Sequence, residues 1–114
     1  MSVKLNARQV GDVTVLDAAG RITLGEGSSA FRDKIKELTV AGNKKILINM
    51  ADVSYIDSSG IGELVSGFTT VTNSGGSLKL LNLGKRIQDL LQITKLYTVF
   101  ETFEDEAAAI RSFS

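Results

Sequence analysis

One segment in the middle of the chain joins a strand pattern directly to a helix pattern. Residues 45–50 (KILINM) are apolar on both alternating faces, which is typical of a central strand covered on both sides. After Gly60, apolar residues recur at the spacing of one helical face, at Ile61, Leu64, Val65, Phe68 and Val71. A strand that passes through a short polar loop into an amphipathic helix is the building unit of a parallel α/β sheet.

The segments on either side extend this alternation. Residues 3–7 and 13–19 predict two strands, joined as an antiparallel pair by a tight turn at Gly11-Asp12. The other predicted elements are a helix capped by Ser28 or Ser29 and ending near Val40, a strand at 78–83, a helix that starts at Gly84, an edge strand at 97–100, and a final helix at 107–113 preceded by a capping box from Thr102 to Asp105.

This order of elements predicts a fold of the α/β class. We expect a single domain, residues 1–114, with a mixed sheet of four to five strands and about four helices. Most strands should be parallel, with an antiparallel strand at the N-terminus, and the helices should pack mainly on one face. Residues 20–27 are predicted to form a loop, so the second strand is expected to end near Ala19.

Two absences in the composition limit the chemistry. The chain contains no cysteine and no histidine, which removes disulfides, thiol catalysis, cysteine–zinc sites and the most common general base. Thirteen basic residues balance thirteen acidic ones, so the electrostatic footprint of a nucleic-acid-binding protein is missing. We therefore expect no enzyme, no metal site and no direct contact with nucleic acid.

The N-terminal sequence MSVKLNARQV does not resemble a secretory signal, because it lacks a long apolar core and a small-residue cleavage site. No stretch approaches the ~18 consecutive apolar residues of a membrane span. These features predict a cytoplasmic location without a membrane partner. The domain is also large enough to be stable as a monomer.

The polar loop between strand and helix admits two interpretations. Asp57, Ser58 and Ser59 are all good helix N-cap residues, and capping alone would explain them. Alternatively, Ser58 is a phosphoacceptor, since a phosphate at a helix N-terminus faces free backbone amides and the positive end of the helix dipole. A serine nucleophile is disfavoured, because no histidine is present to act as its base.

Residues 52–65 (DVSYIDSSGIGELV) resemble the hallmark segment of STAS domains. Nearly the whole chain is similar to the anti-sigma factor antagonists of bacterial partner-switching systems. The similarity includes the opening strand pair, the segment KKILINMADVSYIDSSGIGELV, and the segment GGSLKLLNLGKRIQDLLQITKLYTVFETFEDEAAAI.

This resemblance implies a switch. In such proteins the serine after the motif aspartate, here Ser58, is phosphorylated by an anti-sigma factor that is also a serine kinase. The unphosphorylated antagonist binds the anti-sigma factor and frees a sigma factor, phosphorylation breaks the complex, and a serine phosphatase restores it. ATP belongs to the kinase, so the antagonist itself needs no cofactor. Asp57, Ser59 and Gly60 complete the motif and are expected to shape the docking loop.

Two further predictions concern the partner surface. By extension from the motif, we expect the exposed side of the following helix, with Glu63, Ser66 and Thr70, to contact the partner. Many relatives have an acidic turn such as Gly-Glu-Leu-Asp after the second strand, whereas this chain has GRIT at residues 20–23. Arg21 therefore gives this face the opposite charge, which suits a different partner or a different subgroup.

Two other functions remain open. One is a STAS scaffold or multi-partner signalling module without a kinase-controlled switch. The other is a small-ligand or nucleotide-binding domain, because residues 25–30 (GEGSSA) match G-x-G-x-x-A, and Asp52 lies about where a ribose-binding acid would be. A strand that ends near Ala19 leaves these glycines too far from the sheet, which favours a simple helix-start loop.

Overall fold

The computed structural model describes residues 3–114 as a five-stranded mixed sheet with four α-helices. The strands, in their spatial order, are β1 (Val3–Val10), β2 (Val13–Ile22), β3 (Lys45–Ile56), β4 (Ser77–Leu81) and β5 (Thr102–Phe103). The helices are α1 (Glu26–Val40), α2 (Ser58–Asn73), α3 (Lys85–Ile93) and α4 (Glu106–Ser112). β1 is antiparallel to β2 and all other pairs are parallel, which confirms the predicted α/β class and mixed sheet.

The sheet separates two cores of unequal size. Side chains alternate along β3, so that Ile46 and Ile48 point into the larger core and Leu47 into the smaller one. α1, α2 and α3 cover the larger core, with buried residues such as Phe31 and Leu64. α4 alone covers the smaller core, where Ala109 is fully buried. Three helices thus lie on one face, in agreement with the prediction.

β2 and β3 are both longer than predicted. β2 continues through Gly20 and Arg21 to Ile22, and β3 continues beyond Met50 to Ile56. The register between them shifts twice, and each shift inserts one extra residue into β3. A bulge of this kind reverses the inside–outside alternation, so the apolar pattern of β3 cannot be followed past Met50 in the sequence.

α1 begins earlier than predicted. Its N-cap is Gly25, at φ 96°, and Ser28 and Ser29 lie within the first turn of the helix instead of capping it. Gly25 follows the end of β2 by only three residues, so the separation that we used against a dinucleotide fingerprint does not exist. The second glycine of that pattern has a packing role, because a Cβ atom on Gly27 would lie 2.6 Å from the carbonyl oxygen of Arg21.

The segment before α4 also differs from the prediction. The edge strand expected at 97–100 is wrong: a 3-10 turn occupies Leu96–Thr98, and the edge strand is β5. β4 ends at Leu81, two residues before the predicted end. Thr102 lies in β5 and caps nothing, whereas Asp105 is the N-cap of α4 and accepts a hydrogen bond from the Ala108 amide at 2.9 Å.

Of the helices in the described chain, none has the length and hydropathy needed to cross a membrane.

Candidate functional site at the start of α2

The polar loop lies where the carboxyl ends of β2 and β3 meet the first turns of α1 and α2. Asp57 follows β3 directly and is the N-cap residue of α2. Its own amide donates to the carbonyl oxygen of Ile22, the last residue of β2, at 3.4 Å. The loop is therefore held against the end of the neighbouring strand by the backbone itself.

The Asp57 carboxylate connects two segments of the site. One oxygen, Oδ1, accepts hydrogen bonds from the Gly60 amide and from the Ser59 hydroxyl, each at 2.9 Å. The other, Oδ2, accepts from the Leu24 amide in the β2–α1 loop at 3.1 Å. The Gly60 amide, followed by the Leu24 amide, lowers the pKa of Asp57 below its ordinary value, because these donors favour the ionised form. Asp57 thus stays negatively charged at neutral pH and fixes both loops.

Ser58 is the exposed member of the motif. It is the first residue of α2, and its hydroxyl forms no hydrogen bond with a residue in the described range 3–114. Ser59 is only partly exposed, and its hydroxyl is engaged by Asp57. The two adjacent serines therefore differ: one holds the loop together and the other presents a free hydroxyl to solvent.

Gly60 allows the loop to sit close to the sheet. The residue is buried, and a Cβ atom built on it would lie 2.3 Å from the Ile22 carbonyl oxygen and 2.5 Å from Cγ1 of Ile56. No side chain fits in this space without moving backbone. The glycine of the motif is therefore explained by a close contact between α2 and the ends of β2 and β3.

Leu24 is a residue of this site that the sequence analysis missed. Its side chain is 80% exposed in the β2–α1 loop, although its amide is fixed by Asp57. An apolar side chain held at the surface beside an exposed serine is a suitable anchor for a docked protein. The signal in the sequence is a leucine between Thr23 and Gly25 that belongs to neither neighbouring element, and it was hidden by placing the strand end at Ala19.

Glu63, Ser66 and Thr70 line one groove, between α1 and α2, with a volume of about 230 Å³. Ser66 and Thr70 are exposed, as predicted from the helical pattern. Glu63 faces α1 instead: it pairs with Arg32 at 3.0 Å, and its side chain is only 16% exposed. Its second oxygen, Oε1, is buried without a hydrogen-bond partner in the described chain. Glu63 is therefore less available to a partner than its position on the helix suggests.

Arg21 is exposed on β2, where it is paired with Tyr55 of β3. Its guanidinium carbon lies 5.0 Å from the centroid of the Tyr55 ring. The motif residues Asp57, Ser58, Ser59 and Gly60 thus form the cap and first turn of α2, while Arg21 lies on β2 beside Tyr55.

The groups assembled here suit recognition better than catalysis. Asp57, the acidic residue next to Ser58 in the chain, has a lowered pKa that makes it a poor proton acceptor for an alcohol. In residues 3–114 there is no cluster of three or more Asp and Glu side chains that could hold a metal ion. What the loop offers is an exposed hydroxyl and an exposed leucine on a fixed backbone.

Comparison with known proteins identifies the family to which the chain is similar. The family model of the STAS domain matches residues 4–109. The anti-sigma-B factor antagonist of Bacillus subtilis (strain 168) is 34% identical over 101 residues, which cover 89% of this chain and 91% of that protein.

Two solved structures share the fold. An anti-sigma factor antagonist from Mycobacterium paratuberculosis superimposes with a TM-score of 0.86 at 15% identity, over 97% of this chain and 93% of that one. The phosphorylated form of the Bacillus cell fate determinant SpoIIAA gives a TM-score of 0.76 at 21% identity, over 97% of this chain and 100% of that one. The match over nearly the whole chain, together with the identity to the Bacillus subtilis protein, shows that the chain belongs to the STAS domain family, within the anti-sigma factor antagonists.

Proposed function

We propose that this protein is a phosphorylation-controlled antagonist of an anti-sigma factor. Unphosphorylated, it binds an anti-sigma factor that has serine kinase activity, and a sigma factor is released. Phosphorylation of Ser58 by that kinase breaks the complex, and a serine phosphatase regenerates the binding form. The relatives named above as anti-sigma factor antagonists, and the existence of a phosphorylated form of SpoIIAA, support this proposal.

The exposed hydroxyl of Ser58 is the observation that carries the proposal. It lies at the first residue of α2, so a phosphate there would face the amino end of a helix of 16 residues. The modification would add about −1.5 to −2 charges beside the ionised carboxylate of Asp57. A protein docked over this loop would then have to accommodate a bulky dianion next to an existing negative charge, which disfavours the complex.

The docking surface consists of the loop and the side chains around it. Leu24 supplies an apolar anchor that is 80% exposed, and Ser66 and Thr70 extend the surface along α2. Glu63 contributes through its pair with Arg32, which fixes the groove between α1 and α2. The ATP would be bound by the kinase, so this chain needs no cofactor and performs no catalysis of its own. A regulator of transcription of this kind acts in the cytoplasm, and we expect the free protein to be a monomer in sedimentation experiments.

Phosphorylation at Ser58 can be tested with a matched pair of variants. The protein is incubated with ATP and each serine-kinase anti-sigma factor encoded near its gene, and phosphate is located by mass spectrometry. Ser58→Ala should abolish phosphate incorporation, whereas Ser59→Ala, which removes the neighbouring hydroxyl, should retain it. Phosphate absent from Ser58 with all of these kinases would refute the switch.

Affinity measurements on variants distinguish a phosphorylation switch from a scaffold module. Ser58→Asp, which adds one negative charge, should weaken the complex with the kinase at least about tenfold, while Ser58→Ala should leave it intact. Leu24→Ala should also weaken it, whereas Val40→Ala, at an equally exposed residue at the far end of α1, should not. Equal affinities for the Ser58→Asp and Ser58→Ala variants would favour a scaffold module without a phosphorylation switch.

A further inference from the structure

Two arginine side chains meet over one tyrosine ring beside the Ser58 loop. The guanidinium carbon of Arg21 lies 5.0 Å from the centroid of the Tyr55 ring, and that of Arg86 lies 4.6 Å from it. Arg21 comes from β2, opposite Tyr55 on β3, and Arg86 comes from the first turn of α3. The two guanidinium carbons are therefore no farther apart than these two distances combined. We call these three residues the arginine–tyrosine cluster.

The charges of this cluster are not balanced by a carboxylate within residues 3–114. Arg8 and Arg32 form salt bridges with acidic side chains, but neither Arg21 nor Arg86 does so. Both are exposed, and the partly buried Tyr55 ring holds them together through its negative faces. Neither positive charge has a carboxylate partner in the described chain, so an acidic segment that reaches both arginines would supply the missing neutralisation.

The shape and place of the cluster indicate which anion this is. Guanidinium groups are planar and donate two parallel hydrogen bonds to a carboxylate or a phosphate, and of these two anions the carboxylate is the one that an unmodified docked protein carries on its side chains. Tyr55 lies near the end of β3, two residues before Asp57, so the cluster is close in the chain to the start of α2 and Ser58. Two arginines on a chain whose total charge is balanced do not form the extended basic track that nucleic acids need.

We propose that the arginine–tyrosine cluster binds an acidic segment of the protein that docks on the Ser58 loop. This inference rests on the proposed function and adds to it the chemistry of the partner: carboxylates placed beside the kinase active site, opposite Arg21 and Arg86. Because both arginines are exposed, the contact lies at the rim of the interface. Charges at a rim act mainly on the association rate and make binding sensitive to salt.

The ligand chemistry can be tested without the partner. A hexaglutamate peptide is titrated at low ionic strength, and the arginine side-chain and Tyr55 ring resonances are followed by NMR. We expect saturable shifts at Arg21, Arg86 and Tyr55, no shifts with hexalysine, and binding at least tenfold weaker in the double variant Arg21→Ala/Arg86→Ala. Arg111→Ala, which removes an exposed arginine of α4, should bind like the wild type. Shifts spread evenly over all arginines, or shifts with inorganic phosphate but none with hexaglutamate, would overturn the proposal.

The second arm uses the kinase that phosphorylates Ser58. The double variant should bind it about tenfold more weakly than the wild type or Arg111→Ala, mostly through slower association, and the difference should shrink as salt is added. A kinase that phosphorylates Ser58 and binds the double variant with unchanged affinity and salt dependence would overturn this inference and leave the proposed function intact. The reverse outcome, retained hexaglutamate binding with no kinase acting on Ser58, would count against the proposed function alone.

Discussion

At the scale of single residues, the motif divides its tasks among neighbouring side chains. Asp57 fixes the backbone, Ser59 is bound to Asp57, Gly60 permits close packing, and Ser58 is left with an exposed hydroxyl. A loop that is rigid except for one reactive group can be modified without being rebuilt. Such a division predicts that substitutions in adjacent positions have very different effects.

Gly60 and Gly62 provide the first test. A Cβ atom at Gly60 would collide with the Ile22 backbone, whereas one at Gly62 would meet nothing within 4 Å. Gly60→Ala should therefore lower the free energy of unfolding by about 1–3 kcal/mol, as overpacking of a core does. Gly62→Ala, in the same helix, should raise it by about 0.5–1 kcal/mol through helix propensity and a less flexible unfolded chain. Urea denaturation of both variants measures these changes, and equal effects would contradict the close contact.

The two oxygens of Asp57 can be tested separately. In Asp57→Asn, one oxygen remains to accept from the Gly60 amide, but the other is replaced by an NH₂ group that cannot accept from Leu24. We expect solvent exchange of the Leu24 amide to accelerate by roughly tenfold while the Gly60 amide stays protected. Asp57→Ala should expose both amides. NMR exchange rates decide this, with Asp105→Asn as a control, because Asp105 accepts from a single amide and asparagine can replace it.

At the scale of elements, the sequence predicted the central part of the fold better than its ends. The strand at 45–50 and the stripe of α2 are strongly periodic, and a cap of α2 was predicted among Asp57, Ser58 and Ser59, although the sequence did not show that Asp57 is the one. The ends of β2 and β3 were missed because two bulges break the alternation where the strands carry glycine and polar residues. The pairing of Glu63 with Arg32 was missed as well, because helical periodicity does not show which neighbour a polar face meets.

One arginine adds ion pairs to the packing of α4 on its face of the sheet. Arg8 on β1 donates to Asp17 on β2 at 2.6 Å and to Glu106 at the start of α4 at 2.7 Å. Hydrogen bonds donated by Arg8 are the main reason why the pKa of Asp17 lies below its ordinary value of 3.8 and the pKa of Glu106 below its ordinary value of 4.5. Each pair is more than a third exposed on at least one side, so solvent screening limits the two together to about 1 kcal/mol.

The lowered pKa values of Asp17 and Glu106 make the contribution of this contact to stability depend on pH. Groups with a lowered pKa in the folded state stabilise the protein above their ordinary pKa, and this contribution is lost as the pH falls through the lowered values. Arg8→Met should therefore be destabilising by about 1 kcal/mol near neutral pH, and the difference from the wild type should shrink below about pH 4. Arg111→Met, which breaks no salt bridge with a described residue, should show no such trend. A gap that stays constant down to about pH 3 would rule out these ion pairs as its cause.

At the scale of the whole molecule, the candidate site and the rest of the fold are well separated. Leu24 in a loop and Ser58 and Arg86 in the first turns of α2 and α3 all follow the carboxyl ends of parallel strands, the edge at which α/β proteins commonly place their binding sites. The two cores lie on the faces of the sheet and receive no side chain from Ser58. A change at that edge can thus alter what the protein binds while leaving both cores packed.

Phosphorylation of Ser58 should consequently change binding without changing the fold. The amino end of α2 stabilises the phosphate, and repulsion from Asp57 destabilises it. Because the two effects oppose each other, we expect the free energy of unfolding to change by less than about 1 kcal/mol. Amide resonances should shift only in the loops around residues 21–27 and 57–62. Urea denaturation and two-dimensional NMR of the singly phosphorylated protein test this.

The controls for that experiment are the unmodified protein and Ser58→Asp, which carries one charge at the same place. If the switch acted by distorting the domain, shifts would reach β1 and α4, and the stability would fall by more than about 2 kcal/mol, the size expected when packing is disturbed. If it acts by charge at a fixed surface, stability and core resonances stay constant while the affinity for the kinase falls. The exposure of Ser58 and the hydrogen bonds that hold Asp57 and Ser59 in place predict the second outcome.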